Sequence, residues 1–312
     1  MDELITVRGA IAPTEAGITD AHNHAWIAPV TGGSPDAPVL NQKSEIEAEL
    51  RDYRDAGGRT FIDCQPGGCG RDGRVLLSLS QASGVHIVAT TGFHLQTYYP
   101  ADYWLWDSTF EEARAAFIRE LEHGLVETTE MDTPVRAGFI KMAFGNDPAD
   151  VPTTLVEAAA SASLATGAAI AAHTEKGRAA EEIVDRLKTL GIGPDRIVLF
   201  HIDKRPDFAL HRDLAEEGVL LEYDTFYRPK YHPQENLWPL LERMVTEGLG
   251  RHVAIGTDMA DAGLWSHIGD GPGLVGLMTR IVPTLETMGL SAPVIDNLVG
   301  GNIARRLTRS VD

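Results

Sequence analysis

The sequence is short of positive charge and almost without cysteine. Its 312 residues include 27 lysines and arginines against 45 aspartates and glutamates, which gives a net charge of −18. This balance argues against binding to nucleic acid or to an anionic membrane surface, where basic residues displace counterions. An anionic small substrate stays open, because a site can be locally positive in an acidic protein.

Long apolar runs and a secretory leader are missing as well. No apolar run reaches the roughly 18 residues that a transmembrane helix needs. The first residues, MDELITVRGA, lack a basic and an apolar segment, so no signal peptide is expected. With Cys64 and Cys69 as the two cysteines, no disulfide framework is expected, and a reducing cytoplasm is the expected location. A redox or zinc role for these thiols is the minor alternative, since no second pair exists.

Short, continuously apolar segments alternate with longer amphipathic ones, which is typical of parallel strands buried on both faces. The predicted strands are 18–22, 59–64, 86–92, 138–143, 168–173, 196–201, 218–224 and 252–258. Helical patterns lie at 44–58, 112–124, 152–167, 176–190, 206–217, 234–248 and 276–289, and 300–308 predicts a closing helix capped by Asn302. This alternation predicts an α/β fold, a single-domain (β/α)8 TIM barrel over 1–312. A doubly wound sheet is the alternative.

Polar residues interrupt the apolar pattern at the carboxyl ends of the predicted strands, where barrel active sites lie. His22 and His24 form an H-x-H pair, and residues i and i+2 of a strand point to the same side. The other members of this group are Lys141 in the fourth strand, His173 and His201 ending the fifth and sixth, and Asp258 ending the eighth. Each has an ordinary explanation when taken singly, such as a core histidine, a salt bridge or a helix cap. Six together on one barrel face favour a metal site.

The order H-x-H, strand-four lysine, histidine, histidine, aspartate resembles the amidohydrolase superfamily, specifically its phosphotriesterase-like branch. The matching segments are TDAHNH at 19–24, FIKMA at 139–143, AHTEKG at 172–177, FHIDKRPD at 200–207 and GTDMA at 256–260. The resemblance implies that CO2 carboxylates Lys141 and that the resulting anion bridges two divalent metal ions. It places His22, His24 and Asp258 on the more buried ion, and His173 and His201 on the more exposed one.

The apolar stretch GFIKMAFG around Lys141 is consistent with this implication. Burial lowers the pKa of a lysine and exposes a neutral, nucleophilic amine. Its carbamate would be an oxygen donor suited to Zn²⁺, with Mn²⁺, Co²⁺ or Fe²⁺ as alternatives. Two such ions generate a bridging hydroxide, and Asp258 would pass its proton to the leaving group. The lysine also separates this chain from TatD-like nucleases, which have glutamate there.

Loops that follow the strands set substrate choice in barrels. The loop 26–42 is rich in glycine and proline, and 259–273 carries Trp265, His267 and glycines that suit a mobile flap. The loop 92–106 is dense in aromatic residues. It is equally consistent with an apolar lid over the substrate and with a subunit contact.

Four residues in these loops are candidates for substrate binding: Arg228, Lys230, His94 and Tyr98. The two cations suit a phosphate or carboxylate group, although a solvated loop is the alternative. Asp203 is expected to orient a metal ligand through hydrogen bonds, and Asp207 to cap a helix. Phosphotriesterases have a relay carboxylate at the position of Lys204, and lactonase relatives have a tyrosine at the position of His94. Neither organophosphate triesterase nor acyl-homoserine lactonase activity therefore transfers directly.

These residues predict a binuclear metallohydrolase that acts on an ester-type bond of a small molecule. The preferred substrate is a lactone carrying a phosphate or carboxylate group, which Arg228 and Lys230 would bind. The alternatives are a phosphotriesterase or phosphodiesterase, an amidase, and a non-catalytic small-molecule-binding barrel. A homodimer is the expected assembly, since closed two-fold dimers are the commonest oligomers.

Overall fold

Each barrel strand hydrogen-bonds in parallel to the next one along the chain in the computed structural model, which describes residues 2–310. The strands are β1 (Ile18–Asn23), β2 (Gly58–Asp63), β3 (His86–Val88 and Thr90–Gly92), β4 (Phe139–Phe144), β5 (Ile170–Thr174), β6 (Ile197–Phe200), β7 (Leu220–Tyr223) and β8 (Val253–Ile255). The ring closes after β8, where the amides of Thr257 and Asp258 donate to the carbonyl of His22 at 3.3 and 2.9 Å. The predicted (β/α)8 barrel is therefore confirmed.

Helices follow the strands and cover the outside of the barrel. They are α1 (Lys43–Asp55), α2 (Gly73–Ser83), α3 (Phe110–Glu122), α4 (Thr153–Thr166), α5 (Ala180–Thr189), α6 (Phe208–Glu217), α7 (Leu237–Thr246), α8 (Val282–Thr287), α9 (Ala292–Asp296) and α10 (Asn302–Leu307). The π-helical turns Leu277–Ile281 and Asn297–Gly301 lead into α8 and α10. Within residues 2–310, no helix combines the length and apolar character that a membrane span requires.

Helix α2 is absent from the sequence prediction. It begins at Asp72, whose carboxylate accepts hydrogen bonds from the amides of Arg74 and Val75, and it ends at Gly84 in the left-handed conformation. These are ordinary helix boundaries. The buried face of α2 carries Leu76, Leu79, Ser80 and Ser83 at helical spacing, and the two serines weaken the apolar signal of this stripe.

The predicted cap at Asn302 is wrong. The backbone is already helical at Gly301, and the Asn302 amide instead donates to the carbonyls of Gly250 and Val253 at 2.9 and 2.7 Å. The side chain thus ties α10 to the residues that enter β8. Below the barrel, Asp2–Thr6 forms an antiparallel sheet with Gly9–Ile11 and Arg309–Ser310, which closes the end opposite the site.

Alternation along β4 explains the lysine in an apolar strand. Phe139 packs in the cluster of residues inside the barrel, whereas Ile140, Met142 and Phe144 belong to the cluster between the strands and the helices. Lys141 shares the inward face with Phe139, because side chains two apart in a strand point the same way. The lysine is therefore fully buried at the carboxyl end of the barrel interior.

Candidate metal centre

The six residues predicted from the strand ends lie around one cavity at the carboxyl face of the barrel. This cavity has a volume of about 310 Å³, and the six that line it are His22, His24, Lys141, His173, His201 and Asp258. His22 lies in β1 and His24 directly follows it. The other four lie in β4, in β5, after β6 and after β8, in chain order. Parallel strands bring these positions together, because all their carboxyl ends meet on one face.

His22, His24 and Asp258 form the tighter of the two groups. The Nε2 atoms of His22 and His24 each lie 3.8 Å from Oδ1 of Asp258. Ligand atoms that surround a Zn²⁺ at bonds of about 2.0–2.2 Å are separated by about 3.3–3.6 Å, so these distances fit one ion. The three donors lie within 4.8 Å of one another and could hold a metal.

His173 and His201 form the second group, and their ring centroids lie 4.6 Å apart. The ring of His201 is also 4.5 Å from that of His22, so the two groups adjoin. Nε2 of His22 and both nitrogens of His173 are buried without a hydrogen-bond partner. Buried polar groups are nearly always paired, so these orphaned donors fit a bound cation.

Burial keeps these histidines neutral, which is the form that binds metals. Burial lowers the pKa of His24 to about 3, with a further contribution from Lys141. For His22 and His201, burial and then the neighbouring cationic groups hold the pKa well below the usual value. Burial also lowers the pKa of His173, although the carboxylate of Glu175, 3.6 Å from Nε2, opposes it.

Lys141 is buried without a counterion. Its Nζ donates to the carbonyl of Cys64 at 2.8 Å. Among the ion pairs of residues 2–310, no carboxylate lies within 4.0 Å of this Nζ. Burial accordingly lowers the pKa of Lys141. The salt bridge considered as the ordinary explanation for this lysine does not form.

Asp258 lies beyond the end of β8, in a left-handed backbone conformation with φ of 44°. A polar network holds it there: the Asn23 amide oxygen accepts from the amides of His24 and Met259 at 2.9 and 3.1 Å, and the Asn23 Nδ2 donates to Asp20 and Thr257 at 2.9 and 2.7 Å. Asp258 does not cap the next helical turn, because Asp261 occupies that position. The aspartate is thus aimed into the cavity by its loop.

The strand β7 side of the site holds three buried carboxylates, of which the sequence analysis singled out only Asp203. Asp203 accepts from the amides of Asp224 and Thr225 at 3.2 and 2.9 Å, and Asp224 contacts Nδ1 of His201. Glu222 lies 3.6 Å from Nδ1 of His22. Burial, with repulsion from Asp224, raises the pKa of Asp203 to about 7. No single motif marks Glu222, because its role depends on the strands beside it.

The positive charge next to the cavity comes from Lys204 and Arg228 rather than from Lys230. Lys204 lines the cavity, and its Nζ lies 4.0 Å from Oδ2 of Asp258. Burial opposes a charge on Lys204, but Asp224, Asp258 and Asp203 outweigh it and raise the pKa. Arg228 reaches the same Oδ2 at 3.3 Å. Lys230 is exposed, with its Nζ 5.2 Å from the ring centroid of Tyr231, so it is not placed as the prediction requires.

His94 and Tyr98 both line the cavity. Nδ1 of His94 accepts the amide of Leu95 at 2.7 Å, and burial holds the pKa of His94 well below its usual value. The neutral ring therefore carries its proton on Nε2. Of the aromatic loop, Tyr98 fits the lid interpretation, whereas Trp104 is 47% exposed and leaves a subunit contact open.

The loop after β8 is tethered, which is not what a mobile flap would show. Glu49 of α1 is fully buried, and its Oε2 accepts from the amides of Ser266 and His267 at 2.9 and 3.0 Å. Its Oε1 accepts from the amide of Leu274 at 2.8 Å. Trp265 is buried and donates to the carbonyl of Met259 at 2.7 Å. One carboxylate therefore fixes the middle of this loop and the residue that follows it.

Replacing Glu49 by glutamine is expected to destabilise the protein by about 1–3 kcal/mol, because the amide NH2 must face a backbone N–H that needs an acceptor. Thermal unfolding followed by circular dichroism measures the loss, which corresponds to about 2–4 °C per kcal/mol in a chain of this size. Glu45→Gln on the exposed side of α1 is the matched control. Equal melting temperatures for the two variants would contradict the tether.

The cysteines take no part in the metal groups formed by the described residues. Both are free and buried. The Cys69 thiol donates to the carbonyl of Pro66 at 3.2 Å, and burial raises its pKa to about 11. A protonated, buried thiol is a poor nucleophile and a poor metal ligand, so the minor redox or zinc alternative receives no support.

Comparison with known proteins places this arrangement in context. A profile of the phosphotriesterase family matches residues 2–307. The phospho-furanose lactonase of Mycoplasmopsis synoviae (strain 53) is 30% identical over 324 aligned residues, which cover 97% of this chain and 90% of the relative. An N-acetyltaurine hydrolase of Dictyostelium discoideum is 26% identical, and the alignment covers 86% of this chain and 74% of the relative. The crystal structure of an amidohydrolase from Mycoplasma synoviae is similar with a TM-score of 0.89 and 28% identity, covering 99% and 92%.

Proposed function

Because this chain belongs to the phosphotriesterase family, we propose that it is a binuclear metallohydrolase that opens a lactone carrying an anionic group. The observation that carries the proposal is the cavity itself. Six candidate metal-site residues line it, and Lys204 lies at its side within 4.0 Å of Asp258. The cavity thus combines a hydrolytic centre with a cation for a substrate anion.

We assign the candidate ligands to two ions, as the family resemblance implies. His22, His24 and Asp258 would hold one, and His173 and His201 the other, with Lys141 as a carbamate between them. Zn²⁺ suits these nitrogen and oxygen donors, and Mn²⁺, Co²⁺ or Fe²⁺ are alternatives. Bound at these positions, two divalent ions supply an activated water at neutral pH and polarise the carbonyl of the substrate.

Residues of the chain bind and orient the substrate, and one of them transfers a proton. Water adds to the lactone carbonyl, the ring C–O bond breaks, and the ring oxygen leaves as an alkoxide. The Asp258 carboxylate accepts the proton that the water loses and returns it to this alkoxide, which yields a hydroxy acid. His94 donates a hydrogen bond to a substrate oxygen through Nε2, since its Nδ1 is engaged by the Leu95 amide.

Lys204 and Arg228 are the groups that would recognise a phosphate or carboxylate on the lactone. A guanidinium and an ammonium together bind such an anion through charge-assisted hydrogen bonds. Both side chains are mostly buried, with 12% and 20% of their surface exposed, so water screens them only in part. The phospho-furanose lactonase among the relatives supports a phosphorylated sugar lactone as the substrate.

A substrate panel with metal-loaded protein tests the function. Four compounds are compared: a phosphorylated furanose lactone, the same lactone without phosphate, an aryl phosphotriester and an N-acylated aminosulfonate. We expect the phosphorylated lactone to give the highest kcat/KM. Absence of turnover on every compound would favour the non-catalytic binding barrel and overturn the proposal.

Lys204→Gln is expected to raise KM for the phosphorylated lactone by about 10- to 100-fold, as the loss of one charge-assisted contact predicts. The unphosphorylated lactone should be affected little, because it lacks the group that Lys204 binds. Lys230→Gln is the matched control, since its side chain is exposed outside the cavity. An equal effect of Lys204→Gln on both lactones would remove the anion-binding role.

An amidase is the second candidate, and the N-acetyltaurine hydrolase among the relatives favours it. N-acetyltaurine also joins an acyl group to a fragment with an anionic end, so the same cations could bind it. Faster hydrolysis of the N-acylated aminosulfonate than of either lactone would select this alternative.

A further inference from the structure

Strand β7 supplies none of the predicted metal ligands, yet it places two buried carboxylates beneath the site. Glu222 lies in β7 and Asp224 follows it two residues later, and neither side chain is exposed. Residues two apart in a strand point to the same side, so both face the barrel interior. Buried carboxylates are costly unless they serve a partner.

Each carboxylate faces the Nδ1 edge of a different histidine. Oε2 of Glu222 lies 3.6 Å from Nδ1 of His22, and Oδ2 of Asp224 contacts Nδ1 of His201. Oε2 of Glu222 also accepts the backbone amide of His201 at 3.1 Å. Glu222 thus joins β7 to the residues at the ends of β1 and β6.

The two nitrogens of His22 face different groups. Nε2 lies 3.8 Å from Oδ1 of Asp258, on the side of the proposed ion, and Nδ1 faces Glu222. A proton on Nδ1 leaves the lone pair of Nε2 free for a metal. A proton on Nε2 would block coordination there. The group that faces Nδ1 therefore decides which nitrogen can bind.

Gly256 after β8 provides the space for the Glu222 carboxylate. A Cβ added to Gly256 would lie 2.3 Å from Oε1 of Glu222 and 2.7 Å from the backbone nitrogen of His22. Any side chain at this position would displace the carboxylate or strand β1. The glycine after β8 therefore leaves the space that the Glu222 carboxylate on β7 occupies.

We propose that Glu222 and Asp224 are positioning residues that accept the Nδ1–H groups of His22 and His201 and so present both Nε2 atoms to the metal ions. This inference rests on the proposed metal centre. The ligand atoms of Glu222 and Asp224 also lie within 4.8 Å of those of His22 and His201, so direct coordination by a carboxylate is the alternative that the tests separate. Each acts through its histidine, and strand β7 serves both ions from one side.

The first test is Glu222→Gln, read out as metal affinity. The neutral amide oxygen is a weaker acceptor than a carboxylate, so it holds the proton on Nδ1 of His22 less firmly and leaves Nε2 a poorer metal ligand. Competition with a chromophoric chelator for Zn²⁺ is expected to show one of two sites weakened by about 10- to 100-fold, the usual effect of losing such a partner. Asp224→Asn is expected to weaken the other site by a similar factor.

Tyr223→Phe is the matched control. Tyr223 lies between the two carboxylates on the same strand, and its hydroxyl makes a buried hydrogen bond of 2.6 Å to Nδ1 of His211, outside the barrel interior. The variant loses a buried contact of β7 without touching the site. It is expected to lower the melting temperature and to leave both metal affinities unchanged.

Gly256→Ala is a second variant that keeps Glu222 but crowds its carboxylate. It is expected to weaken the same metal site as Glu222→Gln, with the other site unaffected. ¹¹³Cd NMR of the loaded proteins reports the donor atoms of each ion. The positioning role predicts that both cadmium signals persist in Glu222→Gln, because no ligand atom is removed.

Three results would overturn the inference. One is an unchanged chelator competition curve for Glu222→Gln. Another is a curve weakened equally in Tyr223→Phe. The third is the loss of a whole equivalent of cadmium with a shift that reports a missing carboxylate ligand, which would make Glu222 a direct ligand. If the chelator competition shows that the wild-type protein binds no divalent metal at all, the proposed function fails. Metal binding by the wild-type protein therefore distinguishes a failure of the positioning role from a failure of the proposed function.

Discussion

Replacing Lys141 by alanine is expected to lower kcat/KM by at least about 10³-fold, as expected when a group that assembles a catalytic centre is lost. The lysine is fully buried, its Nζ has the Cys64 carbonyl as its partner at 2.8 Å, and no carboxylate of residues 2–310 forms an ion pair with it. Alanine would remove the proposed bridging carbamate. Metal analysis of the purified variant should accordingly find fewer than two ions per chain.

Chemical rescue identifies the species that Lys141 contributes. Acetate or propionate added to Lys141→Ala is expected to restore part of the activity and of the metal content, because a carboxylate can replace a carbamate as an oxygen donor. Ethylamine, which mimics the unmodified side chain, should restore neither. ¹³C NMR of the wild-type protein equilibrated with ¹³CO2 should show a carbamate signal that the variant lacks.

Two outcomes would contradict this prediction. Full activity of Lys141→Ala without metal would remove the lysine and the ions from the mechanism. Rescue by ethylamine but not by acetate would show that an amine, and not an anion, is the required group.

Asp258→Asn is the second substitution with a large expected effect, a fall in kcat of about 10²- to 10⁴-fold. Asparagine keeps the shape of the side chain but cannot accept and return a proton. It also tolerates the left-handed backbone at φ of 44°, so the loop after β8 should keep its conformation. Steady-state kinetics with the best lactone of the panel measures the effect.

Asp261→Asn is the matched control, since Asp261 is an exposed cap in the same loop. It should leave kcat and metal content within a factor of about two of wild type, as surface substitutions do. Unchanged kcat in Asp258→Asn, with both ions bound, would show that another group transfers the proton.

The ring of strand-end residues could be read from the sequence because barrel topology is periodic. Continuous apolar runs locate the strands, and parallel strands carry their carboxyl ends to one face. His22, His24 and Lys141 therefore have to converge with the later histidines once the strand order is known. The resemblance to the amidohydrolase superfamily then supplied the roles that spacing alone leaves open.

The lysine beside the cavity could not be identified from the sequence. Lys204 and Lys230 both follow carboxyl ends of strands, and the sequence does not show which one turns inward. The structure places Lys204 at 4.0 Å from Asp258 and leaves Lys230 exposed. Loop residues lack the fixed alternation of strands, so the direction of their side chains depends on the whole loop conformation.

Sequence by itself determined the barrel, its strand order and the candidate metal residues, because hydrophobic periodicity is local and the barrel converts order along the chain into position around a ring. Only the tertiary structure decided which groups support them. Glu222 beside His22, Asn23 beside Met259 and Glu49 beneath Ser266 are contacts between segments far apart in the chain. Such contacts depend on how strands and loops pack in three dimensions, and a local sequence pattern does not show which distant segments will meet.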